Sequence, residues 1–272
     1  MSQITAKVVA DSTNVFLRRI TTLELQYPRF IHAEFMTHRV FSRNAASSRA
    51  IPVAKMIEQV RNDPAMPIHW GKNQPGMQAQ VQLTGEEELR AIGRWKLAAE
   101  AAANHAEVLL EIGLHKQVAN RVLEPFQLMR TIVTSTEWDN FFHLRAHEDA
   151  QPAIPALAVA MRDAMADSKP VQRLQGDWHL PYVTERERAM FKPDLLPKLS
   201  TARCARVSYL THDGQAPDID KDLDLFDRLV GAAPIHASPA EHQAYPADHA
   251  NFKSGNLTGW VQHRKLIERQ FK

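Results

Sequence analysis

The sequence predicts an α/β chain, and three observations carry that prediction. Residues 19–27, Arg-Ile-Thr-Thr-Leu-Glu-Leu-Gln-Tyr, alternate in the manner of a half-buried strand. A series of helical patterns follows, the longest over residues 84–112. The chain has neither a G-x-G-x-x-G turn nor a G-x-x-x-x-G-K loop. A nucleotide would therefore need a site other than a dinucleotide-binding crossover or a P-loop.

Taken in order, Pro28 suits the first turn of a helix. Phe30, Ile31, Glu34, Phe35 and His38 then share helical spacing, which predicts a helix from Arg29 to about Val40. Residues 41–52 are small and polar and end in Ile51-Pro52, which predicts a turn or irregular segment. A short helix is expected at 53–61. Pro64, Pro67, Gly71, Pro75 and Gly76 make 63–78 a long loop, of the kind that is often functional. Thr84 and Glu87 form a capping-box pattern for the long helix, and Gly113 is placed to end it. A helix over 115–123 stops at Pro125. Another is expected over 127–147, interrupted near Thr134-Ser135-Thr136, and one more at 153–167. Residues 169–200 are polar and proline-spotted, Ala205-Arg-Val-Ser-Tyr-Leu opens a new unit, and Asp218–Leu229 is helical. This predicts one catalytic domain over 1–272, divided into 1–167, a connector at 168–200, and 201–272.

The 272 residues are 44% hydrophobic and 24% charged, with a formal charge of +2, values of an ordinary globular chain. So small an excess does not by itself imply nucleic acid, and it fits local pockets for anionic small molecules. One cysteine, Cys204, cannot form an internal disulfide and predicts a reducing cytoplasm. The N-terminus lacks the apolar stretch of a signal peptide, and no run approaches the roughly 20 apolar residues of a membrane span. Neither secretion nor membrane insertion is expected.

Four segments hold residues suited to chemistry. Residues 37–49, Thr-His-Arg-Val-Phe-Ser-Arg-Asn-Ala-Ala-Ser-Ser-Arg, combine three arginines with a histidine, three serines and an asparagine. They read either as a phosphate cradle or as a solvated basic surface with capping serines. Asn140, His143 and His147 share helical spacing near Arg145. The histidine pair could chelate a metal, but no third ligand is placed, so an exposed helix face is expected and no metal. His236-Ala-Ser-Pro-Ala-Glu-His242 departs from the H-E-x-x-H zinc spacing and contains Pro239, which favours a turn presenting His236, Ser238 and Glu241. Gly259–Lys265 reads either as a basic, aromatic nucleic-acid contact or as a C-terminal helix with Trp260 buried. Cys204 reads either as an activated thiolate or as a small buried residue.

The first of these segments resembles the signature of the flavin-dependent thymidylate synthases, R-H-R-x-x-S-x-N-x-x-S-x-R. His38, Arg39, Ser42, Asn44, Ser47 and Arg49 match it, and Thr37 replaces the first arginine. Val118-Ala-Asn-Arg121-Val-Leu-Glu-Pro125 and Asn140-Phe-Phe-His-Leu-Arg145, followed by Ala150-Gln151, resemble two further elements of that family. Ala205-Arg-Val-Ser208 and His236–His242 resemble two more, which usually precede the arginine signature and here follow it. The order therefore looks circularly permuted, which is tolerable where chain ends lie close in space.

The resemblance implies an α+β type of fold, an antiparallel or mixed sheet flanked by helices. It also implies a homotetramer with active sites between subunits, in which FAD stacks on the substrate dUMP and methylenetetrahydrofolate supplies a carbon, with NADPH as reductant. Carried over, Arg121 holds the dUMP phosphate, Arg145 the uracil edge, and Ser47 and Arg49 position the nucleotide. Arg145, Ser47 and Arg49 are thus the expected catalytic residues. Glu34 stands where a substrate-facing glutamine is usual. His38, Arg39, Asn44, Thr136, Asn140, Ser208, His236, Ser238 and Glu241 are expected to contact FAD. Ala45 replaces a common glutamate and Ala50 a common tyrosine. The expected product is dTMP. Water addition would give 5-hydroxymethyl-dUMP instead, and a catalytically silent nucleotide-binding homologue is the rival reading.

Overall fold

The computed structural model describes residues 3–147, 149–207, 218–231 and 234–271. Strand β1 (Thr5–Thr13) turns back as β2 (Arg19–Pro28), antiparallel, with a register shift between Val8 and Ala10. Asn14 builds the turn. Its side-chain oxygen accepts from the N–H groups of Phe16 and Arg18, and its amide donates to the carbonyl of Gly259.

After β2 the chain makes a 3-10 turn and a single helical turn, α1 (His32–Phe35). The expected helix to Val40 ends five residues early. The Thr37 hydroxyl takes the Glu34 carbonyl and the Arg43 guanidinium takes the Met36 carbonyl, acceptors that a continuing helix needs. The segment expected to be irregular contains a strand, β3 (Ser42–Ala45). Helix α2 (Val53–Asn62) follows as expected. Helix α3 (Glu86–Glu111) is capped by Gly85 at φ 61°, with no side-chain cap from Thr84. Gly113, at φ 80°, ends it as expected: the N–H groups of Gly113 and Leu114 return to the carbonyls of Leu110 and Leu109.

Helix α4 (Lys116–Ala119) passes into a 3-10 segment, Asn120–Phe126, which accommodates Pro125. The helix expected over 127–147 is in fact strand β4 (Leu128–Ser135) followed by α5 (Asp139–Arg145). The β-branched run Thr131-Ile132-Val133-Thr134 is buried throughout and pairs with β2 on one side and β3 on the other. A central strand covered on both faces shows no alternation, and cross-strand packing decides its state. Then come α6 (Ala153–Ala166), β5 (Val171–Gln172), α7 (Glu185–Met190), α8 (Leu196–Arg206) and α9 (Ile219–Val230). Ala205 and Arg206 close α8, so no new unit opens there. The C-terminal part holds β6 (Ala244–Pro246), β7 (Lys253–Ser254), β8 (Leu257–Thr258), β9 (Trp260–Gln262) and α10 (His263–Arg269).

The five-stranded sheet has the order β3-β4-β2-β1-β5, antiparallel except for the parallel β1–β5 pair. This is the mixed sheet flanked by helices that the resemblance implied. One face carries Leu23, Leu25, Tyr27, Met129 and Val133, which pack with Ile154, Leu157 and Met161 of α6 and with Phe35 and Phe141. The other face meets the later chain: Ile132 packs with Cys204 and Val207, and Ile20 with Ala244, Leu257 and Trp260. A buried hydrogen-bond chain crosses that second face. Ser12 Oγ meets His179 Nδ1 at 2.9 Å, His179 Nε2 meets Thr22 Oγ1 at 2.8 Å, Thr22 meets Thr134 at 2.6 Å, and Thr134 meets His242 Nδ1 at 2.8 Å. Burial pushes the pKa of both imidazoles down to about 3, so they are neutral links. Among the described residues, no helix is long and apolar enough to cross a membrane.

Candidate functional site

A cleft of about 620 Å³ opens where β3 meets the later chain. One side is built from Asn44 and Ala45 of β3, from Ser47, Arg49 and Ala50 of the following turn, and from Lys116 and Gln117 of α4. The other side is Ala205 of α8, Leu229 of α9, His236 and Pro239. Asn44 joins the sides, its amide donating to the Cys204 carbonyl at 2.9 Å.

The polar side is held by backbone capture. Asn120 is fully buried and donates to the carbonyls of Ser48 at 2.6 Å and Ile51 at 2.9 Å. Lys116 Nζ donates to the Ala50 carbonyl at 3.0 Å, and the Arg49 N–H reaches the Ser47 hydroxyl at 3.3 Å. These bonds fix a turn that would otherwise be mobile. The charges it presents are one-sided. Among the described residues that line it, Arg49 and Lys116 are the cations and none is a carboxylate. A cleft with two cations, neutral donors from Ser47, Asn44 and Gln117, and an apolar opposite side suits an anion that carries a flat ring.

Of the residues expected at the site, Asn44, Ser47, Arg49 and His236 come together here. Arg145 lies in a second cluster. Its Nε donates to His38 Nε2 at 2.8 Å and its Nη2 to the Thr37 hydroxyl at 3.2 Å. His38 is buried, with its ring edge-on to Phe141 at 4.9 Å between centroids. Burial first, and the Arg145 charge second, lower its pKa, so the ring is a neutral acceptor that orients the guanidinium. Glu34, on α1, is half-buried; Arg39 and Asn140 are exposed. Arg121 is exposed and bound to Glu124 at 2.7 Å, and the same carboxylate oxygen also receives Arg29 and Ser48.

Ser238 and Glu241 bound a 3-10 turn, as the sequence predicted for this proline-containing motif. Glu241 forms a very short ion pair with Arg264, which Glu268 also holds. Thr136 accepts from the Thr258 N–H at 3.0 Å and so pegs β8 to the end of β4. Ser208 lies outside the described residues. Cys204 is fully buried behind the cleft, burial pushes its thiol pKa well up, and the Gln243 amide meets its sulfur at 3.4 Å. The structure therefore gives the small buried residue and not the activated thiolate. Among the described residues no group of three potential ligands could hold a metal, and His143 and His147 lie exposed. Trp260 is fully buried, and Arg264 and Lys265 are paired with carboxylates, which leaves no open basic surface at Gly259–Lys265.

Lys116, Gln117 and Leu229 were not anticipated. Nothing in their local pattern marks them, because only the fold brings them beside Arg49. Gln262 and Asn256 were also missed. Gln262 donates to Ser42 and to the Glu241 carbonyl, and Ser42 donates to Asn256, so the last thirty residues brace the signature strand.

The family model described as thymidylate synthase complementing protein matches residues 11–171. That stretch contains β2, β3 and β4 of the sheet, the signature segment, α4 and α5. Two solved structures of a UMP/dUMP methylase, PolB from Streptomyces cacaoi, are similar to this chain at 18% identity. The one bound with 5-Br dUMP has a TM-score of 0.49 and covers 61% of this chain and 91% of that one. The one bound with 5-Br UMP has a TM-score of 0.47 and covers 61% and 90%. No curated protein matches the sequence.

Proposed function

The chain belongs to the thymidylate synthase complementing protein family, and on that premise we propose that it transfers a one-carbon unit to carbon 5 of dUMP. The observation that carries this reading is the cleft: signature residues Asn44, Ser47 and Arg49 face His236 of the late motif across a volume suited to a nucleotide, with uncompensated positive charge. Both motifs lining one cleft also supports reading residues 1–272 as a single catalytic domain in permuted order.

The donor chemistry fits FAD. Asn44 and His236 offer polar atoms toward a ring system, and Ala205, Leu229 and Pro239 offer an apolar flank. When bound, FAD supplies the redox chemistry, with methylenetetrahydrofolate as carbon donor and NADPH as reductant. The chain's own residues then bind, orient and polarise. Arg49 and Ser47 hold the nucleotide. Arg145, aimed by neutral His38 and by Thr37, keeps its Nη1 amino group outside both of those bonds. It meets the uracil edge and favours negative charge at N3 and O4, which raises electron density at carbon 5. With Cys204 buried and its thiol pKa raised, no step uses an enzyme thiolate. Arg39, Asn140 and Arg121 are exposed outside the cleft. A homotetramer with active sites between subunits accounts for this, since exposed residues of one copy then complete the site of another.

A second product is favoured by one observation. Ala45 and Ala50, which replace a common glutamate and tyrosine, both line the cleft. Two methyl groups leave room for water beside the nucleotide, and water in place of hydride gives 5-hydroxymethyl-dUMP. The reading is tested by loading the protein with FAD, reducing it anaerobically, and adding methylenetetrahydrofolate with and without dUMP. Flavin absorbance that returns only with dUMP supports transfer completed by hydride, and 5-hydroxymethyl-dUMP formed while the flavin stays reduced supports transfer completed by water. Reoxidation independent of dUMP, or a protein that takes up no flavin, contradicts it.

A further inference from the structure

We propose that Lys116 is a substrate-binding residue, the partner of Arg49 in holding the 5′-phosphate, and that it sets how strongly the cleft prefers a nucleotide over its uncharged nucleoside. This rests on the dUMP reading and adds a residue to it. Lys116 lines the cleft, and its ammonium group lies 3.0 Å from the carbonyl of Ala50, the residue after Arg49. The two cations therefore stand on one short stretch of wall. A carbonyl engages one ammonium proton and leaves two for another acceptor. Among the described residues, no carboxylate lines the cleft to neutralise either cation.

Arg121 is the alternative holder of the phosphate, and its surroundings differ. Glu124 binds it at 2.7 Å through an oxygen shared with Arg29 and Ser48, so much of its charge is already spent on protein. It stays outside the cleft lining of its own copy and would reach a site only in another, whereas Lys116 lines the cleft of the copy that carries Arg49. A phosphate dianion set between Arg49 and Lys116 receives a planar fork from one side and a point charge from the other. Gln117 adds a neutral amide on the same wall.

The test compares dUMP with deoxyuridine by calorimetric titration of the FAD-loaded protein. In Lys116→Gln the amide can still donate to the Ala50 carbonyl, so the turn is preserved while the charge is lost. The expected result is a loss of dUMP affinity of roughly 10- to 100-fold, with deoxyuridine affinity unchanged. Lys116→Arg restores most of the dUMP affinity, and the salt dependence of dUMP binding becomes shallower in Lys116→Gln. Equal weakening of both ligands would show a merely structural role and overturn the proposal, as would unchanged dUMP affinity. Wild-type protein that binds deoxyuridine and dUMP alike would overturn it too. Wild-type protein that binds neither would remove the dUMP reading itself.

Discussion

Arg203 and Arg49 carry the same guanidinium into opposite surroundings. Arg203, on α8, is 3% exposed and lies between Glu187 at 2.6 Å and Asp222 at 2.9 Å, with a further bond to the Tyr182 carbonyl. Arg49 is exposed beside a cleft that also holds Lys116 and that no carboxylate lines among the described residues. The first arginine is neutralised and braces α7, α8 and α9 together. The second leaves its charge to a ligand. Their immediate neighbours, small in both cases, do not separate them; the dense segment around Arg49 and the ion pairs around Arg203 do. An unmatched charge on a concave wall marks a site, and a matched buried one marks architecture.

The largest effect expected from this contrast is on stability. Arg203→Met leaves Glu187 and the buried Asp222 short of a partner, with only Arg206 remaining for Asp222. A loss of about 3 kcal/mol is expected, read as a lowered denaturant midpoint. A midpoint equal to wild type would show that the network is dispensable.

The pH dependence comes next. His179 and His242 have pKa values near 3 in the folded chain, below the ordinary 6.5. Their neutral forms are therefore favoured by folding, and the unfolded chain binds more protons between those values. The stability they contribute is fully present above pH 6.5 and falls as the pH drops toward 3. Each histidine accounts for up to about 2 kcal/mol lost by pH 5. Urea unfolding at pH 7 and pH 5 checks this, and His242→Gln should flatten the slope. A slope unaffected by that change would place the acid sensitivity elsewhere.

The smallest stability effect belongs to Arg49. Arg49→Gln should shift the melting temperature by no more than about 2 °C while weakening dUMP binding roughly 100-fold. A large drop in melting temperature would erase the contrast with Arg203.

Much of the sheet-and-helix plan was legible where the signal is local. The strand at 19–27 and the helices expected at 53–61, 153–167 and 218–229 all stand within a residue or so of where the sequence puts them. Strand β4 was not legible, because burial on both faces removes its period. Strand β3 was not legible either, because four small and polar residues become a strand only through pairing with β4. At the site, Asn44, Ser47 and Arg49 were readable from one dense segment, and His236 from a second. Lys116 was not, since its partner Arg49 lies 67 positions away in the chain and only the fold joins them. The C-terminal segment stayed open between two readings for the same reason: Arg264 is bound to Glu241 and Glu268, and the fold is what brings Glu241 beside it.

The most direct test of the central claim is the mass of the nucleotide after incubation with FAD, NADPH, methylenetetrahydrofolate and dUMP. A gain of one methylene identifies a thymidylate synthase. A gain of methylene plus oxygen identifies a hydroxymethylase. Either gain is what the account predicts, whereas bound flavin and dUMP with no change in mass would contradict one-carbon transfer and leave a nucleotide-binding homologue.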